Sequence, residues 1–451
     1  MESEREIIEM MRAAAPPGQS QLGEDAVRRL RDLTGSLISA KGGASEEYER
    51  FRAITQRALC LPDSLLSGWL RGSVILVTGG TGCIGSTLMA QLAALGPGRL
   101  VSVSRGATSG RTQLPGAEYV QADIRDRPRL DILIGDIRPD VIFHVAAQRN
   151  PGLAEVEVHR TVSTNVLGTR NVLAAAADVG VPQVVCASTG KALRPYSPDV
   201  YAASKRAAEW LASAACTSAG LRCSAGRFTH VVDNSIIVQR LHEWAGGGVV
   251  RLHSTEIAFY IQSALESAQL LLIAGLGGVR GEFRVHAITD LGWPVGLLDL
   301  AVGVLAAAGS ATPIYISGYD RGYEEIPFPG LYDPATAGEV SPLLNAFEAA
   351  RVTGSPCHMV DAFPLEMRPD PAPIKLLAAL EEACDTTGDP DVIRAALDEL
   401  SWSLLDVSLQ AVPTRALARS AAFADPHQGG LSPEHRRLLA AIRREAGLGD
   451  D

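Results

Sequence analysis

Tyr201 and Lys205 stand four residues apart in "VYAASK", and Ser188, Thr189 and Lys191 precede them in "STGK". On a helix, residues at that spacing share a face, which would set an ammonium beside a phenol. Such a cation favours the phenolate and lowers the tyrosine pKa, giving a base that can take a hydroxyl proton as hydride departs. Ser188 and Thr189 close the apolar run "QVVCAS", and either could orient that hydroxyl. Lys191 is a second amine for proton transfer, or a solvated loop lysine of the ordinary kind.

A departing hydride needs an acceptor, and "VILVTGGTGCIG" supplies a place for one. An apolar strand runs into Gly79, Thr81, Gly82, Cys83, Ile84 and Gly85, and "GSTLMAQLAAL" continues with helical spacing. Glycines there let the backbone approach a pyrophosphate whose charge the helix amides stabilise. The next strand, "RLVSVSR", ends at Ser104 and Arg105, about 20 residues on, where an acid would hold the ribose of NAD. A serine and an arginine suit the 2′-phosphate of NADP instead, with NAD as the alternative. Asp123 in "VQADIRD" either accepts from the adenine amino group or caps the following helix.

These groups need a frame, and the rhythm from Ser73 onward supplies it. Short apolar runs ("VILVT", "AEYVQAD", "DVIFHVAA") alternate with helical patterns, one near residues 159 to 177. That alternation implies right-handed crossovers and a parallel sheet covered on both faces. The expected fold is α/β, a Rossmann-type doubly wound parallel sheet with a smaller C-terminal substrate-binding region and helical terminal extensions. The expected division is a helical segment over residues 1–70, the cofactor and substrate domain over 71–330, and a mainly helical accessory region over 331–451. Helical spacing in "EDAVRRLRDLTGSLI", "EEYERFRAITQRAL" and "PEHRRLLAAIRREAG" marks the two ends.

Composition narrows the function. The chain has 451 residues, 46% hydrophobic and 20% charged, ordinary for a folded protein with a sizeable core. A net charge of −10 argues against nucleic-acid binding through a broad basic surface. Seven cysteines without CxxC spacing suggest a reduced protein, and no grouped histidine spacing points to a metal. The charged start "MESEREIIEM" is unlike a signal peptide, and "VGLLDLAVGVLAAAG", interrupted by Asp299, falls short of the roughly 20 apolar residues a span needs. A cytoplasmic protein without membrane or nucleic-acid partners is expected. His144, ending "VIFH", reads as a packed core histidine; His230 and His253 are possible pocket residues, though more often structural.

Together the glycine turn, "HVAAQRNP" from His144, "TNVLGT" from Thr164, "STGK" and "YAASK" resemble the extended short-chain dehydrogenases that act on nucleotide sugars. Within these, the resemblance is to capsule-type, inverting UDP-N-acetylglucosamine 4,6-dehydratases and their epimerase relatives, over about residues 72 to 330. It implies that Tyr201 starts oxidation at a sugar carbon, that Lys205 holds the cofactor ribose, and that Ser188 or Thr189 orients the sugar hydroxyl. The cofactor stays bound and returns its hydride, and Lys191 takes the place of the lysine that removes the proton beside the transient ketone. It also implies cofactor contacts from Ile124, Ala146, Ala147, Gln148, Asn165 and Arg227, substrate contacts from Arg149, Arg194, His230, Asn234 and Arg321, and a homo-oligomer.

Three departures stand out. Gly190 replaces the aspartate that in the dehydratases protonates the departing hydroxyl. The interval from Lys191 to Tyr201 is longer than in those enzymes. "TEIAFY" carries Glu256 where they have an arginine, which weakens an ordinary diphosphate contact. Dehydration or epimerisation of a nucleotide sugar is the leading reading; a net NADPH-dependent ketoreductase and a cofactor-binding scaffold without turnover are the rivals.

Overall fold

The computed structural model describes residues 3–106, 113–233, 243, 245–319, 327–367 and 370–449. The chain forms two units, one from Met1–Ala58, Thr229–Glu266 and Leu291–Glu324, the other from Leu59–Phe228, Ser267–Asp290 and Glu325–Asp451.

The second unit is built on a sheet whose strands are β1 (Val74–Thr78), β2 (Arg99–Ser104), β3 (Glu118–Gln121), β4 (Val141–His144), β5 (Gln183–Thr189), β6 (Arg222–Phe228), β7 (Arg284–Ile288) and β8 (Val360–Pro364). Their spatial order is β8-β7-β6-β5-β4-β1-β2-β3. Every neighbouring pair is parallel except β7 with β8. Ile75, Leu76, Val77, Ile142 and Phe143 are buried, as expected for strands covered on both faces. Full burial of such side chains stabilises by about 1.5–3 kcal/mol each. The order reverses between β1 and β4, and in such sheets the crevice at the strands' carboxyl ends is where a ligand binds.

The flanking helices include α1 (Cys83–Ala94), α2 (Arg127–Ile137), α3 (Gly168–Val179) and α4 (Val200–Ala219). Asp126, not Asp123, caps α2 by accepting from the Arg129 amide at 3.0 Å. A wide π-helical turn, Ser163–Leu167, precedes α3 and carries Asn165. In α4, nearly every residue from Val200 to Ser213 is buried. Its small residues let helices α5 (Pro371–Thr386) and α6 (Pro390–Leu409) complete the cover, α6 lying directly on α4 and α5 on α6.

The other unit joins helices Glu4–Ala14, Glu24–Ala40 and Ser45–Ile54 to later chain segments. Ile7, Met11, Leu33 and Leu37 share a core with Val250, Leu300 and Tyr315. Two short parallel strand pairs and one antiparallel pair complete it.

The expected three consecutive domains are therefore corrected. The helices at residues 4–54 are no separate preface, because their apolar faces are buried against residues from 229 to 316. The 331–451 region is no accessory either: β8 extends the sheet, and Leu193 shares a core with Phe347, Trp402 and Leu405. Among the described residues, no helix is long and apolar enough to cross a membrane, and no group of three or more His, Cys, Asp or Glu residues is placed to hold a metal ion.

Candidate active site

Gly79 has φ +76°, and a Cβ there would lie 2.8 Å from the Ala146 amide nitrogen. Only glycine fits this turn between β1 and α1. A Cβ at Gly85 would meet the Gly79 carbonyl oxygen at 2.2 Å, so that glycine brings α1 against the turn. Gly82 is the N-cap residue of α1 and no side chain caps the helix, so an anion's charge can meet the first-turn amides of Cys83 and Ile84. Thr81 donates to Ser104 Oγ at 3.0 Å, fixing the turn to the end of β2. Arg105 follows Ser104 and is exposed. These residues fit a dinucleotide.

Asp123 is engaged locally: its carboxylate accepts from the Arg125 side chain at 2.6 and 3.0 Å and from the Arg125 amide at 3.0 Å. Burial would raise its pKa, but these bonds hold it below the usual carboxylate value. Ile124 packs beside Gly168. Across the crevice, Ala146 donates to Thr78 Oγ1 at 3.3 Å, and Ala147 leads into Gln148, whose amide donates to Asn165 Oδ1 at 2.8 Å. Asn165 Nδ2 donates to the Gln148 carbonyl and to Ser204 Oγ, both at 3.1 Å, so the π-helical turn fixes the segment facing α4. His144 is the expected core histidine, bonded to Thr78 at 2.8 Å and Thr169 at 3.0 Å. Burial, helped by the Lys205 charge, depresses its pKa to about 3.

Tyr201 is the second residue of α4 and Lys205 lies one turn on. The Thr189 hydroxyl lies beside the Tyr201 phenol and acts on it. Burial raises the phenol's pKa, and the Thr189 hydroxyl and the exposed Arg149 pull the other way. The expectation that Lys205 lowers this pKa is corrected: Arg149 is the cation acting on the phenol, and burial outweighs it. Lys205 is 7% exposed and donates Nζ to the Ala187 carbonyl at 2.6 Å. Burial lowers its pKa against the opposing charges of Cys186 and Glu209.

Strand alternation separates Ser188 from Thr189. Ser188 Oγ donates to Glu209 Oε1 at 2.6 Å, inside the protein, so of the two hydroxyls Thr189 is the one at Tyr201. Thr189 Oγ1 also accepts from the Lys191 amide at 3.3 Å, capping the short turn Gly190–Leu193. One hydroxyl thus links the phenol to the turn that carries the second amine.

Arg227 is corrected as a cofactor ligand. It is 0% exposed, and its guanidinium is shared between Glu209 (2.8 Å) and Glu348 (2.7 Å). Burial opposes its charge, but the two carboxylates more than offset that and raise its pKa. Arg194 pairs with Asp199 at 3.2 Å. His230 belongs to the other unit, its ring 4.6 Å from that of Phe259. Asn234 and Arg321 lie outside the described residues. Sequence reasoning missed Glu209, although Tyr201, Lys205 and Glu209 repeat every four residues on one helix face. It also missed Glu348, for which no local signal exists.

The chain is 29% identical over 289 residues to the probable polysaccharide biosynthesis protein EpsC of Bacillus subtilis, covering 60% of this chain and 48% of that protein. It is 32% identical over 170 residues to a UDP-N-acetylglucosamine 4,6-dehydratase (inverting) of Campylobacter jejuni, covering 36% of this chain and 50% of that enzyme. The chain spans about half the length of these curated relatives. The structure of Pen from Bacillus thuringiensis matches with a TM-score of 0.55 at 22% identity, covering 66% of this chain and 89% of that one, a likeness of fold. Residues 75–325, more than half of the chain and including the glycine turn, Thr189 and the Tyr201 helix, match the polysaccharide biosynthesis protein family, and the chain belongs to it, as an extended short-chain dehydrogenase/reductase.

Proposed function

We propose that this protein holds NADP at the glycine turn and acts on a nucleotide-activated sugar through a transient ketone that is used for epimerisation. The observation that carries the reading is Thr189, whose hydroxyl acts on the Tyr201 phenol and accepts from the Lys191 amide at 3.3 Å. Gly79, Gly82, Gly85 and the first-turn amides of α1 would hold the dinucleotide, whose nicotinamide would supply reversible hydride acceptance at the sugar carbon. Thr189 orients the sugar hydroxyl and Tyr201 takes its proton, the positive charge of an oxidised nicotinamide at the site favouring the phenolate against burial. The carbonyl so formed acidifies the neighbouring C–H. Lys191 removes that proton, and a proton from solvent delivered to the opposite face inverts the carbon. Tyr201 then returns its proton to the oxygen as the carbonyl is reduced.

Elimination of water needs an acid for the departing hydroxyl. Gly190 has no side chain where the related dehydratases place an aspartate, and Leu343 fills the space, with Cδ2 2.8 Å from where a Cβ would lie. Similarity to the Campylobacter jejuni dehydratase keeps dehydration as the second reading. Mass spectrometry and proton NMR of UDP-, dTDP- and GDP-sugars incubated with the protein in deuterated water decide between them, beside a Lys191→Ala control. Deuterium uptake without change of composition is expected; loss of water would establish dehydration instead. Unchanged sugars throughout would remove the nucleotide-sugar reading, and net NADPH consumption would point to a ketoreductase.

Ser104 and Arg105 support NADP over NAD. Arg105→Ala is expected to weaken NADP binding by about tenfold and leave NAD binding nearly unchanged, read by fluorescence titration. Equal losses for both would remove the 2′-phosphate contact.

A further inference from the structure

Lys191 sits on a four-residue turn, Gly190–Leu193, and that turn is gripped by a segment more than a hundred residues later in the chain. Asn345 Nδ2 donates to the Leu193 carbonyl at 2.5 Å. Leu343 packs its Cδ2 over Gly190, and its carbonyl accepts from Arg227 Nη1 at 3.1 Å. Arg227 reaches the turn as well, through Nη2 and the Ala192 carbonyl at 3.5 Å. Thr189 and Leu343 bear on the start of the turn, and Asn345 holds its end.

Asn345 does two separable things. Its Oδ1 accepts from the Phe347 and Glu348 amides at 2.9 and 3.0 Å, capping the helix Ala346–Ala349. Its Nδ2 leaves that helix to hold the turn. This second bond, to the Leu193 carbonyl, ties the late segment to the turn that carries Lys191.

We propose that Asn345 and Leu343 are positioning residues that set where the Lys191 amine stands, and so govern proton removal beside the ketone without governing hydride transfer. The role in catalysis rests on the reading of Lys191 given above. The segment that carries both residues is therefore a working part of the active site.

Asn345→Ser keeps a cap oxygen but has no amide to reach Leu193; Leu343→Ala removes the packing and keeps the carbonyl. A single cooperative melting transition in each variant, lowered in Leu343→Ala by the lost packing, shows that the fold is intact. Two readouts are taken. Competitive acylation of the lysines, quantified by mass spectrometry with Lys375 as internal reference, reports the surroundings of Lys191 without any substrate. Transient reduction of bound cofactor and deuterium uptake into the sugar report the two chemical steps separately.

Both variants are expected to change Lys191 acylation several-fold, to keep cofactor reduction within about twofold, and to lose deuterium uptake by about tenfold to a hundredfold. Unchanged Lys191 acylation overturns the proposal whatever the wild type turns over. So does a loss of both chemical steps together. A wild type that reduces its cofactor with no sugar refutes the functional reading instead, and the acylation result still decides whether residues 343–345 place the amine.

Discussion

Ser188 and Thr189 are neighbours of similar chemistry with different tasks. Thr189 meets Tyr201, while Ser188 donates to Glu209 in the interior. Thr189→Val should lower kcat by about a hundredfold or more with little effect on stability, because it removes a group that touches the reacting hydroxyl. Ser188→Ala should keep turnover within about tenfold and cost about 1–3 kcal/mol, because Glu209 loses a hydrogen bond. Steady-state rates and urea unfolding of the pair check this, and a reversed pattern would exchange the assignments. The sequence placed both hydroxyls at the site and left the choice open. Strand periodicity sends them to opposite faces, but which face meets the tyrosine depends on the packing of α4, which no local pattern encodes.

The elements were legible where their signal is local. The glycine turn could be read from spacing because each glycine answers a steric demand within a few residues. Gly85→Ala should abolish dinucleotide binding in calorimetric titration, since the added carbon would lie 2.2 Å from the Gly79 carbonyl oxygen and force α1 off the turn. Binding retained at wild-type strength would refute the role given to that close approach. Long-range partners were not legible in the same way. Arg227 looks like a strand-end arginine suited to a ligand, and only the fold brings it Glu209 from α4 and Glu348 from a distant short helix. The domain division failed for the same reason, since amphipathic helices show that they need a partner and do not say which.

For the whole molecule, acidity is the revealing variable. His144 and His286 are buried in the Rossmann unit, and burial is the first cause depressing each, His286 to about 4 and His144 to about 3. An unfolded chain has ordinary histidines near 6.5, so between those values it binds more protons than the folded one. Stability should therefore hold above about pH 6.5 and fall as the pH drops toward 4, by up to about 1.4 kcal/mol per pH unit for each histidine. Thermal unfolding between pH 7.5 and 4.5 checks this, and a level profile would contradict it. His286→Gln should flatten part of the slope.

The ion network around Arg227 also sets an order of events when the chain is made. Synthesis runs from the N-terminus, and every group proposed for the chemistry has been made once residue 228 is complete. At that stage Arg227 can meet Glu209 but not Glu348, and Asn345 does not yet exist to hold the Leu193 carbonyl. A nascent chain of that length carries the whole reactive set while the turn bearing Lys191 lacks the hold of residues 343–345. The grip on that turn is thus completed only when residues 343–348 have been made.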